Sequence, residues 1–324
     1  EIPLRLVGSE MCIRDSNKGV EFSLNAQIID SSSWKWSVSG NIGVNRNEIS
    51  DLGLLPADFG CLGERVGYYG NSLGDHFGVG HIFLAGEAPG LFYGYVTQGI
   101  VQKEDITENG IKYIKQDGSV GYYQTVNKTT PVAGDVKYVD RNGDGVVDDN
   151  DRDIIGNPNP DFTYGFQTKV SWKSLSLSAS FNGVQGRDIL NVGNRYNNTP
   201  GTKSNNVTRK AFQNMWTDEN PSNLYPKSTF VVQNMVMDRY VEDGSYLRCS
   251  DITLSYVLPA KWTNKIGIKN TSVYASVKNA FVITDYSGYD PEVNSFAFDG
   301  LRPGVDMNSY PTPRSFVFGL NLTF

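Results

Sequence analysis

Apolar and polar residues alternate through long stretches of this chain, and a period of two is the mark of a β-strand with two unlike faces. The first stretch is GVEFSLNAQIID, residues 19–30. Val20, Phe22, Leu24, Ala26 and Ile28 share one face; Glu21, Ser23, Asn25 and Gln27 share the other. After a short turn at Ser31-Ser32-Ser33 comes WKWSVSGNIGVN, with Trp34, Trp36, Val38, Ile42 and Val44 opposed by Lys35, Ser37, Ser39, Asn41 and Asn45. FTYGFQTKVSW and SLSLSASFNG form a second such pair, joined at Lys173-Ser174. SDITLSYVLP and TSVYASVKNAFVIT form a third, joined by a connection holding Pro259 and Trp262. The final stretch, RSFVFGLNLTF, sets Phe316, Phe318, Leu320, Leu322 and Phe324 against Ser315, Gly319, Asn321 and Thr323.

These stretches predict seven strands. Short turns join them at one end; long, Gly-rich, polar connections join them at the other. The second long connection covers roughly 187–245 and the third runs to about Pro313. Strands of about ten residues, apolar on one side and rich in Ser and Asn on the other, with loops long at one end only, fit a transmembrane β-barrel. The expected fold is therefore all-β: part of an antiparallel barrel wall with long extracellular loops. Trp34, Trp36, Phe162, Trp172, Tyr256 and Trp262 near strand ends fit interfacial girdles. A soluble sandwich also alternates, but its strands are usually about five or six residues. If the last strand ends in the periplasm, seven strands place the Ser31–Ser33 turn there too.

Composition narrows the choice further. Aromatic residues make up 12% and glycine 34 of 324 residues, as in β structure with large loops. A net charge of −6 argues against nucleic acid as partner. No run of eighteen apolar residues offers a transmembrane helix. Cys12, Cys61 and Cys249 form neither a disulfide framework nor a CxxC motif. No catalytic constellation is visible, so an enzyme is not expected. His76 and His81 sit in a Gly-rich stretch and read as solvated loop residues. Phe92, Tyr93, Tyr95, Tyr122 and Tyr123 could stack on sugars, but packing within the loop is the plainer expectation.

Residues 1–16 do not resemble the rest of the chain. Glu10 to Ser16, EMCIRDS, back-translates to a sequence close to a transposon-end adapter used in sequencing libraries. The segment 1–16 is expected to be non-native, with native sequence from Asn17, and is set aside from fold reasoning.

One loop carries recognisable chemistry. Asp140, Asn142, Asp144, Val146, Asp148 and Asp151 fall at positions 1, 3, 5, 7, 9 and 12 of an EF-hand-type calcium loop, with Gly145 at position 6. Carboxylates suit a hard cation, Val146 would offer its carbonyl, and Asp148 could act through water. Position 12 is Asp rather than Glu, a shorter ligand. The expectation is a calcium-stabilised extracellular loop within 134–156.

Several blocks in order complete the picture. They are FYGYVTQGI from Phe92, GDVKYVD from Gly134, RNGDGVVDDNDRDIIGNPNPDFTYGF from Arg141, YLRCSDITLSYVLP from Tyr246, SVKNAFVITDYSGYDPEV from Ser276 and YPTPRSFVFGLNLTF from Tyr310. Together they resemble the SusC/RagA family of TonB-dependent outer-membrane transporters. The resemblance implies that residues 17–324 are the C-terminal part of a large plugged barrel, with the plug upstream. It implies nutrient import of glycan, or in some members peptide, and partners in a SusD-like surface lipoprotein, the TonB complex and outer-membrane lipid. Gly319, Leu322 and Phe324 match the terminal signal read by the barrel assembly machinery; Val317 departs from its usual polar residue. A seven-strand piece should be an open, curved sheet with two unpaired edges. The alternative is a secreted or surface calcium-dependent β-rich binding or adhesion module, separable by its independence of detergent.

Overall fold

The computed structural model describes residues 14–53, 60–62, 65–74, 77–199, 206–228, 235–263, 268 and 270–323. Seven long strands form one antiparallel sheet in simple sequence order. They are β1 (Arg14–Asp30), β2 (Trp34–Asp51), β3 (Phe162–Trp172), β4 (Leu175–Gln185), β5 (Tyr246–Val257), β6 (Asn270–Thr284) and β7 (Ser315–Thr323). β1 and β7 each have one neighbour, so the sheet is open with two edges. The first strand begins earlier than the alternation indicated. Arg14, Asp15 and Ser16 pair with Asp51, Ile49 and Glu48.

Register fixes the two faces. Directly paired residues share a side of the sheet, and a slip of one would move every side chain across. Phe22 pairs with Ile42, Ile42 with Tyr164. Phe166 pairs with Phe181, and Leu177 with Leu254. Leu254 pairs with Ala275, which pairs with Phe318. This apolar face is bare: Val20 is 75% and Phe318 80% exposed. In water so large a patch would drive aggregation; in hydrocarbon it costs nothing. Aromatic residues gather toward the short-turn end. Trp34 packs on Trp172 with ring centroids 5.9 Å apart. Lys173 lies over the Trp172 ring. Trp36 donates to Thr168 Oγ1. Trp262 stands on a single helical turn, Ala260–Thr263.

Besides a register shift at Arg14/Asp15, two bulges adjust the wall. One lies between Gln27 and Ile29, so Ile29, not Ile28, pairs with Trp36. The other leaves Ser250 unpaired between Cys249 and Asp251.

The described residues of the long connections, 52–161, 186–245 and 285–314, do not remain solvated loops. They fold together into a cap that holds the main hydrophobic core. Five strands of the first connection form one sheet, in the order Arg152–Gly156, Leu91–Tyr95, His81–Leu84, Arg65–Tyr69, Gly60–Leu62. A second sheet joins the other two connections: Asp188–Asn191 pairs with Val241–Asp243 on one side and Val305–Asp306 on the other. The core cluster takes Phe92, Tyr123 and Tyr138 from the first connection, Leu190 and Met237 from the second, and Val305 from the third. Fully burying such side chains stabilises by about 1.5–3 kcal/mol each.

Candidate functional site

Two features carry chemistry: the acidic loop of the cap and the polar face of the wall. The acidic loop follows from its Asp and Gly residues. Gly143 and Gly145 take positive φ, of 77° and 84°. A Cβ on Gly145 would also lie 2.3 Å from Gln124 Oε1. The backbone therefore curls around Asp140. Asp140 Oδ1 accepts from Gly143 N–H at 2.7 Å and Oδ2 from Gly145 N–H at 2.8 Å. Asp151 closes the other side, Oδ1 accepting from Arg141 and Asn142 and Oδ2 from Asp148. Both carboxylates are buried, at 2% and 0% exposure. Burial raises the Asp151 carboxyl above the usual range, opposed by these three amides and aided by the nearby charge of Asp140.

The remaining acids also have partners. Asp144 Oδ1 accepts from Val146 N–H and Oδ2 from Asn142 Nδ2. Asp148 accepts from Asn150 N–H, and Asp149 from the Tyr95 hydroxyl. Asp153 pairs with Arg141 at 2.9 Å. The loop is tied to the cap by the Tyr113 hydroxyl, which donates to the Asp140 carbonyl at 2.6 Å. Burial, with the charges of Asp140 and Asp151, pushes that phenol up to about 12. Val146 and Val147 extend the attachment by pairing in parallel with Thr125 and Val126. Asp140, Asn142, Asp144, Val146, Asp148 and Asp151 thus lie on one tight loop. Among the described residues no three His, Cys, Asp or Glu side chains are gathered as a metal cage. The donor set has the hard oxygen chemistry of a calcium site, with its acceptors turned mainly onto backbone amides.

The other sequence candidates divide. Phe92, Tyr93, Tyr95 and Tyr123 are core residues, and Tyr122 is exposed. The expectation that His81 is solvated is wrong: it is 0% exposed. It sits on a strand buried on both faces, and its Nε2 meets the Pro303 carbonyl at 2.9 Å. His76 lies outside the described residues. Gly319 faces Tyr274, whose ring fills the space a Cβ would need. Leu322 is on the bare face opposite Thr271; Phe324 lies outside the described residues.

The wall's other face is predominantly polar, with Val184 and Val317 among the exceptions. Asn25, Ser39, Gln167, Ser180, Asp251, Lys278 and Ser315 form one paired row across all seven strands. The row below it ends on Val317, paired with Ser276. Asp251 organises its neighbours. Its Oδ2 accepts from Lys278 at 2.6 Å and Ser276 at 2.7 Å, and its Oδ1 from Thr253 at 2.7 Å.

Toward the cap, Arg248 is buried and donates to Asp290 Oδ1. Its Nε lies 3.0 Å from Glu292 Oε2 without hydrogen-bond geometry. Asp290 Oδ1 also accepts from Glu292 N–H and Oδ2 from Thr312 N–H. One carboxylate thus ties both legs of the third connection to the wall. Sequence reading missed this node. Its residues are far apart in the chain, and only the DPEV block hinted at it.

An open antiparallel wall, apolar outside and polar inside, with folded connections at one end, defines a piece of an outer-membrane β-barrel. No family model matches the chain. It is 30% identical over 317 residues to TonB-dependent receptor P26 of Formosa agariphila, covering 95% of this chain and 29% of that protein. It is 31% identical over 317 residues to TonB-dependent receptor SusC of Bacteroides thetaiotaomicron, covering 95% and 26%. The fold matches the RagAB peptide transporter with a TM-score of 0.65 and 25% identity, covering 96% of this chain and 29% of that one. The chain belongs to the SusC/RagA family of TonB-dependent receptors. It spans under a third of the length of these relatives.

Proposed function

We propose that the full-length protein imports a nutrient oligosaccharide or peptide across the outer membrane, driven through the TonB complex. The observation that carries this reading is the two-faced wall: a bare apolar side for lipid and a predominantly polar side for a wet interior. Within it this chain supplies wall and cap, the cap being extracellular and the short turns periplasmic. A SusD-like surface lipoprotein would meet the cap, as the family resemblance implies. Gly319, Leu322 and Phe324 would engage the barrel assembly machinery. Deleting the gene should abolish uptake of its substrate, and so should collapsing the inner-membrane proton gradient. Uptake that survives collapse of the gradient would sink the TonB-driven reading. A product soluble and monodisperse without detergent would favour the adhesion module instead.

We further propose that calcium binds the acidic loop. Asp140, Asn142, Asp144, the Val146 carbonyl, Asp148 and Asp151 would hold it. The support is ligand type and spacing, and a carboxylate oxygen already accepting one amide keeps a second lone pair. Calorimetric titration should register binding that Asp140→Ala removes. Silence at millimolar calcium would overturn this assignment.

A further inference from the structure

The bare face of the wall has two boundaries on β1 to β3. One is the aromatic row at the short turns, where Trp34 pairs with Trp172. The other is a charged row near the cap, where Lys18 pairs with Arg46. Between them β2 carries Trp36, Val38, Gly40, Ile42 and Val44 on this face, and no charge. From Trp34 to Arg46 the strand runs about 40 Å, which a tilt of about 40° turns into about 31 Å of depth. A hydrocarbon core is about 30 Å thick. The Lys18 and Arg46 row therefore stands at the opposite membrane surface, level with the headgroups of the leaflet on the cap side.

The row carries charge in excess. Arg46 is held in place by donating from Nη1 to the Pro160 and Asp161 carbonyls and from Nη2 to Asp161 Oδ1 at 2.9 Å. At least two of the five guanidinium donors remain. Lys18 is exposed and forms no ion pair among the described residues. Two cations thus share one carboxylate at this level. Glu48, paired with Ser16, is the next same-face position outward, about 7 Å farther from the hydrocarbon. Below the charges the surface is hollowed. Gly40 has no side chain, and its pair partners Leu24 and Phe166 stand exposed on either side. Gly40 lies about 16 Å of depth below Arg46 at the same tilt, close to one leaflet.

We propose that Lys18 and Arg46 dock the phosphate headgroup of an anionic lipid in the leaflet on the cap side, with an acyl chain lying along the trough at Gly40. Charge at headgroup level and an apolar trough as deep as one leaflet match the two ends of one lipid. Phosphate is the fitting anion, since a guanidinium offers it planar N–H donors and an ammonium a compact point charge. The site depends on the wall lying in a bilayer and is independent of what the receptor transports. The other boundary lacks this pairing: there Lys173 lies over the Trp172 ring.

The test uses the full-length receptor in nanodiscs of phosphatidylcholine with a minor share of phosphatidic acid, whose headgroup is a bare phosphate. Native mass spectrometry counts the lipids that stay bound. The receptor should retain phosphatidic acid in preference to phosphatidylcholine. Lys18→Gln/Arg46→Gln should lower that retention about tenfold, the effect of losing one charge-assisted hydrogen bond. Lys18→Gln alone changes an exposed side chain and so guards against misfolding; it should lower retention as well, while Lys18→Arg should keep it. Lys173→Gln, at the opposite boundary, should leave it unchanged. Equal retention of the two lipids, or retention unchanged in both glutamine variants, overturns the site. An equal loss in Lys173→Gln overturns its placement. Bound lipid displaced by millimolar inorganic phosphate would mean a site for the ion alone, and overturns lipid docking.

Discussion

The single residues that hold most at stake are buried charges and one buried imidazole. Arg248 and Asp290 are both withdrawn from water, and Asp290 also accepts from two backbone amides. Burial alone would raise that carboxyl; the amides of Glu292 and Thr312 and the charge of Arg248 bring it below the usual range. Asp290→Leu should therefore cost on the order of 3 kcal/mol, because it leaves a buried guanidinium with Glu292 as its one remaining counter-charge. Limited proteolysis should then cut within 285–314. Adding Arg248→Met should recover much of the loss, since a buried pair replaced whole is close to neutral. His81 gives a pH dependence. Burial is the main cause that lowers its pKa from 6.5 to about 4; Arg302 adds to it, while the Pro303 carbonyl and Asp299 oppose it. Between those values the unfolded chain binds a proton that the folded chain refuses. Its contribution is whole above pH 6.5 and is lost as pH falls toward 4, on the order of 3 kcal/mol in all. Hydrogen exchange of residues 81–84 should speed up over that window, and His81→Gln should flatten the response.

At the scale of the element, a strand was legible where its two faces meet different solvents. β1 to β7 alternate because lipid takes one side and water the other, so the alternation alone assigns Phe22 and Ser23 to opposite faces. The cap strands have no such contrast. His81–Leu84 and Leu91–Tyr95 are buried on both faces, and Leu91–Tyr95 takes one partner, Arg152–Gly156, from far along the same connection. Glycine and polar residues around them then look like solvated loop. In the acidic loop, ligand spacing was legible but the direction of each carboxylate was not, since direction depends on where the backbone amides of Arg141 to Asp148 end up. The Asp251 to Lys278 contact was hidden by the bulge at Ser250, which shifts the register by one. Gly319 shows how one position can carry two readings. The Tyr274 ring lies across it. Gly319→Val should destabilise by roughly 1–3 kcal/mol through overpacking. If packing is its role, Tyr274→Ser should restore thermal stability and assembly yield. If assembly recognition is its role, stability should return while yield stays low.

For the whole molecule the two faces make unlike demands. Leu24→Arg puts a charge on the bare face and should cost about 2–4 kcal/mol if it sits near the bilayer middle. Ser23→Arg, one residue away on the wet face, should cost little. Chemical unfolding of the full-length receptor in lipid vesicles would measure both, and equal costs would contradict the assignment of faces. The cap has a consequence for the order of events in folding. Its core joins Phe92, Leu190 and Val305, which lie in three connections separated by paired wall strands. Contacts so distant in sequence form only after the loops between them are closed. Each wall hairpin can zip from its short turn; the cap must wait until β2 to β7 stand side by side. Protease resistance of the cap is thus a late timestamp on barrel biogenesis. Until it appears, a nascent receptor displays a cluster of naked aromatics to the quality-control machinery of the compartment around it.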